Sequence, residues 1–437
     1  MPVPTLRLVF VAALASIVVF VLPTDVPLLA MLVVVNLVVV LLGLADALLG
    51  PRPEVVRVQR TLPGVVALGA TAPVSWQVGN PTGRRVRASV ADELAPSLRP
   101  GTRRFRVSVG AGQVASTSTT IRPARRGLFT PTDLTVRVDG LIGIGARQRT
   151  RSLPGSLRVY PPFTSKDEAE LRINRARILE VGLRSAQGRG GGTEFDQLRE
   201  YTVDDEFRRV DWASTARLGR PIVRTYRAER NQNVVVLLDS GRVMAGRVGG
   251  VPRLEHAMDA VMMITAVATR LGDRCGLLAF DTRVREVVPP RSGRDQLGRV
   301  TEAMYRLEPQ LGESDYRAAF SETLVRFRRR AMLVILTELS EEAVGEYLLP
   351  ALPLIVRNHL VLVASVRDPE ISAWARADPT DAEGAYRKSA AVAALEERRR
   401  TVGRLRGLGA TVVDAEPGQL APDLADAYLK VKAVGRL

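Results

Sequence analysis

Two long apolar runs near the start of the chain constrain its fold more than any other feature. Residues Leu6 to Leu22 are almost wholly apolar, and a second run extends from Leu28 to Leu49, broken only by Asn36 and Asp46. A bilayer core of roughly 30 Å requires about 20 helical residues, so the second run has the length of a spanning helix and the first is near the lower limit. The pattern predicts a transmembrane helical hairpin over residues 1–50.

A cleaved signal peptide is the alternative explanation for the first run. Its n-region carries one basic residue, Arg7, and FVLPTDV is a poor small-x-small cleavage site. A second spanning run directly afterwards also favours retention. Arg52, Arg57 and Arg60 follow the second run, whereas the connector between the runs carries only Asp25. By the positive-inside rule, we expect a multi-pass protein of the cell membrane with its soluble domains in the cytoplasm.

The net charge of +16 does not by itself indicate a nucleic-acid-binding protein. Of the 62 basic residues only four are lysines, which fits codon bias in a G+C-rich bacterial genome: Lys166, Lys388, Lys430 and Lys432. Aromatic residues make up only 5% of the chain, too few for base-stacking platforms. A basic protein held near an anionic membrane is the better fit, and no nucleic-acid partner is expected. The single cysteine, Cys275, excludes internal disulfides and fits a reducing compartment.

A β domain is predicted over residues 51–162. APVSWQV and RRVRASV alternate apolar and polar residues across the turn GNPTG, and RFRVSV, QVASTSTTI and LTVRV follow at similar spacing. Short alternating runs separated by Gly, Pro and Asn turns indicate an antiparallel, immunoglobulin-like β-sandwich. No catalytic set stands out in it, so we interpret it as a structural or interaction module.

Residues 163–232 are interpreted as a linker followed by a charged segment. The first part has a helical, charged pattern, and QGRGGGTEF is rich in glycine but lacks the Gly-Lys-Ser/Thr of a phosphate loop. From residue 233 to 437, continuous apolar strands such as VVVLLD, CGLLAF and AMLVILT alternate with amphipathic helices. This alternation predicts a mostly parallel sheet covered by helices on both faces, with Asp239, Asp281, Thr337 and Glu338 at the carboxyl-terminal strand ends.

The segment before the first of these strands carries a specific signature. It reads GGTEFDQLREYTVDDEFRRVDWASTARLGRPIVRTY and supplies Glu194, Phe195, Arg199, Tyr201, Asp205, Arg208, Asp211, Trp212, Ala216 and Arg217. This pattern resembles the signature of the bacterial domain-of-unknown-function 58 family, with Asp204 where that family usually has glycine. The order of hairpin, β domain and α/β domain resembles that family's layout along the whole chain.

The resemblance implies a von Willebrand factor A-like, doubly wound α/β domain. Such domains hold a divalent ion with an Asp-x-Ser-x-Ser loop, a threonine on a second loop and an aspartate on a third. Here Asp239 matches the first position, Gly241 and Val243 replace the two serines, Ser314 stands for the threonine and Glu338 for the aspartate. Because Mg²⁺ requires about six oxygens, the site is interpreted as degenerate, with no bound metal or at most weak Mg²⁺ binding.

The charged residues of the signature have two explanations. Arg199, Asp205, Arg208, Asp211 and Arg217 are expected to form a network of charge-assisted hydrogen bonds that joins the segment to the sheet. The alternative is that the network is the site of a cryptic hydrolase. The chain has only two histidines, and no triad is evident, so no enzymatic activity is predicted.

Members of the family are commonly encoded beside MoxR-type AAA ATPases. The resemblance therefore implies a membrane-anchored adaptor that binds proteins, partners such an ATPase in a chaperone-like system, and uses the strand ends around Asp239, Ser314 and Glu338. A cell-envelope scaffold without an ATPase partner remains the second alternative.

Overall fold

We describe a computed structural model of the chain. The structure describes residues 1–21, 27–186, 194–203, 205–227 and 232–434. The residues fall into two compact units, Met1–Tyr160 and Pro161–Leu437. The glycine-rich stretch that was predicted to be a linker lies outside the described residues.

Two antiparallel apolar helices follow a short strand at the start of the first unit. Strand β1 is Pro2–Pro4, helix α1 is Leu6–Val21 and helix α2 is Leu28–Leu49. Among the described residues, α2 is the helix long and apolar enough to cross a membrane, whereas α1 has only 16 residues. The prediction is therefore confirmed only in that one helix, α2, has the length and composition of a membrane span.

The rest of the first unit is built of β-strands, as predicted. Their bounds are β2 Arg57–Thr61, β3 Val65–Ala67, β4 Ala72–Gly79, β5 Val86–Asp92, β6 Arg104–Val109, β7 Val114–Ile121, β8 Gly127–Phe129, β9 Asp133–Asp139, β10 Gly145–Ser152 and β11 Leu157–Tyr160. They form sheets in the orders β1-β10-β9-β5-β6, β2-β4-β7 and β3-β11-β8. Successive residues of a strand face opposite sides, so every second side chain of these strands can point into the shared core.

An ion pair and an indole fix the interior of this β core. Trp76 is fully buried, and its Nε1 donates a hydrogen bond to Asp92 Oδ2 at 2.6 Å. Arg60 donates to the other oxygen of Asp92 at 2.6 Å, and both charged side chains are almost completely buried. The tryptophan in APVSWQV therefore belongs to the core and not to a binding surface.

The second unit contains the α/β region. Its strands are β12 Glu194–Glu200, β13 Ile222–Arg227, β14 Asn233–Asp239, β15 Arg247–Val248, β16 Val251–Pro252, β17 Arg274–Phe280, β18 Val284–Arg291, β19 Ala331–Leu336, β20 Leu360–Val366 and β21 Thr411–Ala415. Its helices are α3 Lys166–Ala186, α4 Trp212–Leu218, α5 Arg242–Ala245, α6 Arg253–Arg270, α7 Asp295–Met304, α8 Tyr316–Arg326, α9 Leu349–Ala351, α10 Pro353–Val356, α11 Pro369–Arg376, α12 Ala382–Gly407 and α13 Leu420–Ala433. A π-helical turn, Ala343–Leu348, leads into α9.

The main sheet of this unit has the strand order β18-β17-β14-β19-β20-β21. The pairs from β17 to β21 are parallel, and β18 pairs antiparallel at one edge. Alternate residues of β14 enter two separate cores: Val234, Val236 and Leu238 pack with α6 and α13, whereas Val235 and Leu237 pack on the opposite face with α8. The predicted mixed α/β fold with several sheets is confirmed.

Strand β18 was not predicted from the sequence. Its segment VREVVPPR contains two prolines and three charged residues, which weaken the apolar signal of a strand. Proline lacks the N–H that a central strand needs, so an edge position accommodates Pro289 and Pro290.

Helix α3 also differs from the prediction, which interpreted this segment as part of a linker. Ala169 and Ile173 are buried in the α/β core, so the first half of α3 is part of the folded unit and not a spacer.

Candidate functional site

A buried polar cluster lies at the carboxyl-terminal ends of the central strands. Asp239 is the last residue of β14, and Thr337 directly follows the neighbouring strand β19. Ser314 and Tyr316 come from the segment that enters α8. Asp239 is 0% exposed and the other three are at most 6% exposed, so the cluster is closed to bulk solvent.

Four donors surround the Asp239 carboxylate. Oδ1 accepts from Ser314 Oγ at 2.5 Å and from the Gly241 N–H at 2.8 Å. Oδ2 accepts from Tyr316 Oη and from Thr337 Oγ1, each at 2.7 Å, and these two hydroxyls are 2.8 Å apart. Each carboxylate oxygen of Asp239 therefore accepts two hydrogen bonds from the protein.

Gly241 has a steric role in this arrangement. A Cβ at this position would overlap Ser314 Oγ and come within 3.2 Å of Asp239 Oδ1. The volume that a serine at position 241 would occupy is therefore taken by Ser314. Glycine permits the short contact between Ser314 and Asp239, and the absence of a hydroxyl at 241 is compensated by that contact.

Glu338 belongs to a second network beside the first. Its Oε1 accepts from Arg398 Nη1 at 2.6 Å, and its Oε2 lies 3.0 Å from Arg253 Nε and accepts from Ser365 Oγ at 3.1 Å. Arg398 also donates to Asp414 through Nε and Nη2 at 2.8–3.1 Å. Both oxygens of Glu338 are engaged by cationic partners.

The pKa shifts favour the neutral form of Asp239 in the first network and the charged form of Arg398 in the second. Burial raises the pKa of Asp239 above the usual carboxyl range, and its hydrogen bonds oppose that shift only partly. The pKa of Tyr316 is raised well above its ordinary value by burial and by the adjacent Asp239. For Arg398, burial lowers the pKa, but the hydrogen bond to Asp414 and the charge of Glu338 outweigh it, so the pKa is raised.

The donor set does not fit a divalent ion as it stands. Mg²⁺ requires about six oxygens in an octahedron, yet both oxygens of Asp239 accept hydrogen bonds and Glu338 is held by arginine. Within the described residues, no group of three or more His, Cys, Asp or Glu side chains is arranged to hold a metal. An ion at Asp239 would have to displace these donors.

We therefore expect calorimetric titration of the full chain with Mg²⁺ or Mn²⁺ to show no saturable micromolar binding. The G241S variant, which restores one hydroxyl of the serine loop, is expected to lower stability without creating a site, because the new side chain overlaps Ser314. Saturable micromolar binding to the wild-type chain would contradict this prediction.

The signature segment forms a β-hairpin and a short helix. Strands β12 and β13 pair antiparallel, and α4 lies between them in the sequence. Arg199 at the end of β12 makes a two-point contact with Asp205, Nη1 to Oδ2 at 2.8 Å and Nη2 to Oδ1 at 2.5 Å. Asp205 also accepts from the Thr202 backbone and hydroxyl at 2.8 Å. Although burial opposes it, these contacts lower the pKa of Asp205.

Asp211 has a separate structural role. It caps the N-terminus of α4 by accepting from the Ser214 N–H at 2.9 Å, and Arg224 of β13 donates to its other oxygen at 2.6 Å. The bond from Ser214, followed by that from Arg224, lowers the pKa of Asp211. Capping by an aspartate side chain stabilises a helix by about 1 kcal/mol.

The five charged side chains that were predicted to form one network are instead divided. Arg199 with Asp205 and Asp211 with Arg224 form two separate pairs. Arg208 lies on an exposed 3₁₀ turn and Arg217 on the exposed side of α4, where it donates to the Ala213 carbonyl. The reason is geometric, because a short turn and a two-turn helix point these side chains to solvent.

The remaining signature residues have different surroundings. Tyr201 is half-buried, and its N–H donates to the Pro221 carbonyl at 2.9 Å. Trp212 is 61% exposed. Glu194 and Phe195 begin β12, but their side chains lie outside the described part of the chain, as does the whole of Asp204.

Sequence reasoning missed the residues that close the two buried networks. The Tyr316 hydroxyl lies in what reads as a core-facing helical position, and nothing in its spacing marks it as a partner of Asp239. Arg398 lies in the run LEERRRT beside two other arginines, of which it is the buried one. The burial follows from helical phase, which a run of identical residues does not reveal.

Together these features define a mixed α/β protein with several sheets, one N-terminal helix long enough to span a membrane, and closed polar networks at its strand ends. Residues 197–387 match the family described as "Protein of unknown function DUF58". Residues 197–387 therefore carry a segment of this family, which confirms the resemblance drawn from the signature residues.

Other comparisons are more limited in extent. "Uncharacterized protein Rv1480" of Mycobacterium tuberculosis and "Uncharacterized protein Mb1516" of Mycobacterium bovis are each 29% identical over 182 residues, covering 41% of this chain and 56% of each relative. The chain thus matches about half the length of these relatives. The solution structure of a CARDB domain from Pyrococcus furiosus covers 24% of this chain and 94% of its own, with 18% identity and a TM-score of 0.17.

Proposed function

We propose that this chain is a membrane-anchored adaptor that binds proteins and partners a MoxR-type AAA ATPase in a chaperone-like system. The observation that carries the proposal is an exposed aromatic pair in the signature segment. Phe207 and Trp212 are 67% and 61% exposed, and their rings meet edge to face with centroids 5.4 Å apart. Exposed apolar clusters mark interaction sites, and tryptophan is enriched among residues that dominate binding energy.

The surroundings of the aromatic pair fit a protein interface. Leu218, at the end of α4, is 56% exposed and adds apolar area. Arg208 and Arg217, which follow Phe207 and precede Leu218 in the sequence, are also exposed and add positive charge to this segment. An apolar centre with a polar or charged rim is the usual anatomy of such interfaces. Helix α4 is held in place by Asp211, so the cluster is presented on a fixed element.

The α/β unit supports a binding role of the von Willebrand factor A type. A mostly parallel sheet with helices on both faces presents Asp239 at the strand ends, as that fold would require. The position of the metal site is degenerate, because hydrogen bonds and arginines satisfy its carboxylates. Asp239, Ser314 and Glu338 are buried, so a partner would contact their exposed neighbours instead, such as Leu311, which is 81% exposed.

Strand pairing supports two membrane crossings. β1 precedes both apolar helices and pairs with β10, which follows them. Two segments of one sheet lie on the same side of a membrane, so the chain between them must cross an even number of times. If α2 crosses, α1 crosses as well. The same pairing supports retention of the first run over signal-peptide cleavage, and the arginines after α2 support a cytoplasmic location of the soluble units.

The alternatives have less support. A hydrolase using the charged signature would require an available acid or base, whereas Asp205 and Asp211 are both held by arginine and backbone N–H groups with lowered pKa values. A cell-envelope scaffold without an ATPase partner remains the competing function, and the binding experiment distinguishes it.

The test is binding of the full chain, reconstituted in lipid nanodiscs, to the purified MoxR-type ATPase of the same organism with and without ATP. The double variant Phe207→Ala, Trp212→Ala is expected to weaken binding by about tenfold or more, because such anchors commonly contribute over roughly 1.4 kcal/mol. Tyr386→Ala, which removes an aromatic side chain that is 80% exposed on α12, is the matched control and should leave affinity unchanged. Absence of binding by the wild-type chain in both nucleotide states would favour the scaffold.

A further inference from the structure

The turn between β9 and β10 is fastened to the end of the spanning helix α2. Asp46, three residues before the end of α2, accepts four backbone N–H bonds from this turn. They come from Ile142, Gly143, Ile144 and Gly145 at 2.9–3.0 Å. A carboxylate with four N–H donors from one turn fixes the turn against the helix in both position and orientation.

Glycines bring the two backbones into direct contact. A Cβ at Gly145 would overlap the Gly43 carbonyl oxygen of α2, and a Cβ at Gly140 would overlap the Asp46 side chain. Gly143 has φ of 87°, a conformation that favours glycine. The turn therefore lies directly on the helix surface, joined to it through the Asp46 carboxylate, and its depth along α2 is set by the fold.

That depth corresponds to a membrane interface. Helix α2 has 22 residues, so at 1.5 Å per residue it is about 33 Å long, close to the roughly 30 Å hydrocarbon thickness of a bilayer. Asp46 is then within about 5 Å of the end of the helix, where the acyl chains meet the headgroups. The turn that Asp46 holds is at the same level.

The side chains at the tip of the turn suit this environment. Leu141 and Ile142 are 52% and 69% exposed, although both are large and apolar. Two guanidinium groups accompany them: Arg7 donates from Nη1 to the Ile142 carbonyl at 3.3 Å, and both Arg7 and Arg87 come within 3.3 Å of a Cβ built on Gly143. Apolar tips with adjacent arginines match the acyl–headgroup boundary, where the cations meet lipid phosphates.

We propose that the β9–β10 turn is a second membrane anchor, in which Leu141 and Ile142 enter the bilayer interface and Arg7 and Arg87 face lipid phosphates. This inference rests on the membrane anchoring in the proposed function and extends it to the β domain. The turn, together with α2, fixes the height and tilt of the first unit over the bilayer. The ligand is the lipid surface itself.

Depth-dependent quenching in vesicles tests the proposal. Three variants of the full chain, Ile142→Cys, Leu41→Cys and Leu128→Cys, are labelled with an environment-sensitive fluorophore and reconstituted in phosphatidylcholine–phosphatidylglycerol vesicles. Leu41 is an exposed residue of α2, and Leu128 is a 46% exposed leucine of β8, which leads into the start of β9, whereas the turn follows the end of β9. The native Cys275 is buried, and burial raises its thiol pKa to about 12, so it remains unreactive.

The expected result is strong quenching at position 41 by nitroxides deep in the acyl chains and at position 142 by nitroxides near the headgroups. Quenching at position 142 should exceed that at position 128 several-fold. If position 41 is quenched but position 142 behaves like position 128, the second anchor is overturned while the spanning helix stands. If position 41 is not quenched, membrane anchoring fails together with the inference.

A neighbouring variant guards against misfolding of the labelled chain. Leu141→Cys, labelled in the same way, should give the same headgroup-level quenching as Ile142→Cys. Replacing Arg87 by glutamine in the Ile142→Cys chain should reduce quenching at position 142 in vesicles with phosphatidylglycerol. An unchanged signal there would overturn the assignment of Arg87 to lipid phosphate.

Discussion

Replacing Asp239 by alanine is expected to destabilise the second unit by about 3 kcal/mol or more, since each buried polar group left unpaired costs about 1–3 kcal/mol. The substitution removes the acceptor of three hydroxyls and one N–H, those of Ser314, Tyr316, Thr337 and Gly241, in a site with no solvent exposure. For a unit of this size, the loss corresponds to a fall in Tm of about 6–12 °C. Thermal unfolding of the full chain in detergent, followed by circular dichroism, measures it.

The matched variant Asp239→Asn should cost less than about 1.5 kcal/mol, near the net value of one hydrogen bond. The amide keeps one acceptor oxygen, and the hydroxyls of Tyr316 and Thr337 can turn to accept from its NH₂. The pH dependence gives a further check. Because burial raises the pKa of Asp239, its contribution to stability is fully present below the unfolded pKa and is lost as pH rises through the folded pKa.

The asparagine variant does not titrate at this position. Its stability relative to the wild-type chain should therefore improve as pH rises from the acid range through the folded pKa of Asp239. An Asn variant as unstable as the alanine variant at every pH would show that the negative charge itself is required, which would contradict the assignment of this cluster as a closed hydrogen-bonded network.

Replacing Arg398 by methionine is the second large expected effect, about 3–5 kcal/mol of destabilisation, the usual cost of removing one partner from a buried ion pair. Methionine keeps the packing of the aliphatic stem but leaves Glu338 and Asp414 without their shared cation. Arg253 remains beside Glu338, so the loss is expected to fall mainly on Asp414. Denaturant unfolding of the full chain measures the change.

Arg399→Met is the control for Arg398, because the side chain of Arg399 is 78% exposed in the same helix. It should change stability by less than about 0.5 kcal/mol. In a chain that already carries Glu338→Gln and Asp414→Asn, the Arg398 substitution should cost clearly less, since fewer charges are left unpaired. A full cost in that background would show that packing, and not the ion pairs, accounts for the effect.

Sequence patterns predicted the elements whose burial is uniform along their length. The run VVVLLD is apolar on both sides because β14 is covered on both faces, and α2 was recognised because Asn36 and Asp46 alone interrupt its apolar run. Strand β18 was missed because it contains two prolines, which an edge strand tolerates since one side of its backbone has no strand partner. The one-sided strands β4 and β5 were predicted from their alternation, whereas the charged residues and prolines of β18 leave neither an apolar run nor a regular alternation.

For the candidate site, the sequence predicted which residues lie at the strand ends but not which side chains they contact. The strand pattern placed Asp239 and Glu338 at the strand ends, and the family resemblance added Ser314 and identified Gly241 as a missing hydroxyl. It did not reveal that Ser314 occupies the volume at Gly241, or that Arg398 of α12 reaches Glu338 from 60 residues away. Such contacts depend on side-chain direction and helical phase in three dimensions, and neither leaves a local pattern.

The pairing of β1 with β10 also sets an order of events during synthesis. Pro2 is opposite Arg147, so the first strand has no partner until about 145 further residues have been made. At 5–20 residues per second, that interval is about 7–30 s. Strand β1 therefore stays without its sheet partner during this delay, and whatever covers its backbone in that time decides whether the sheet closes or keeps an open edge.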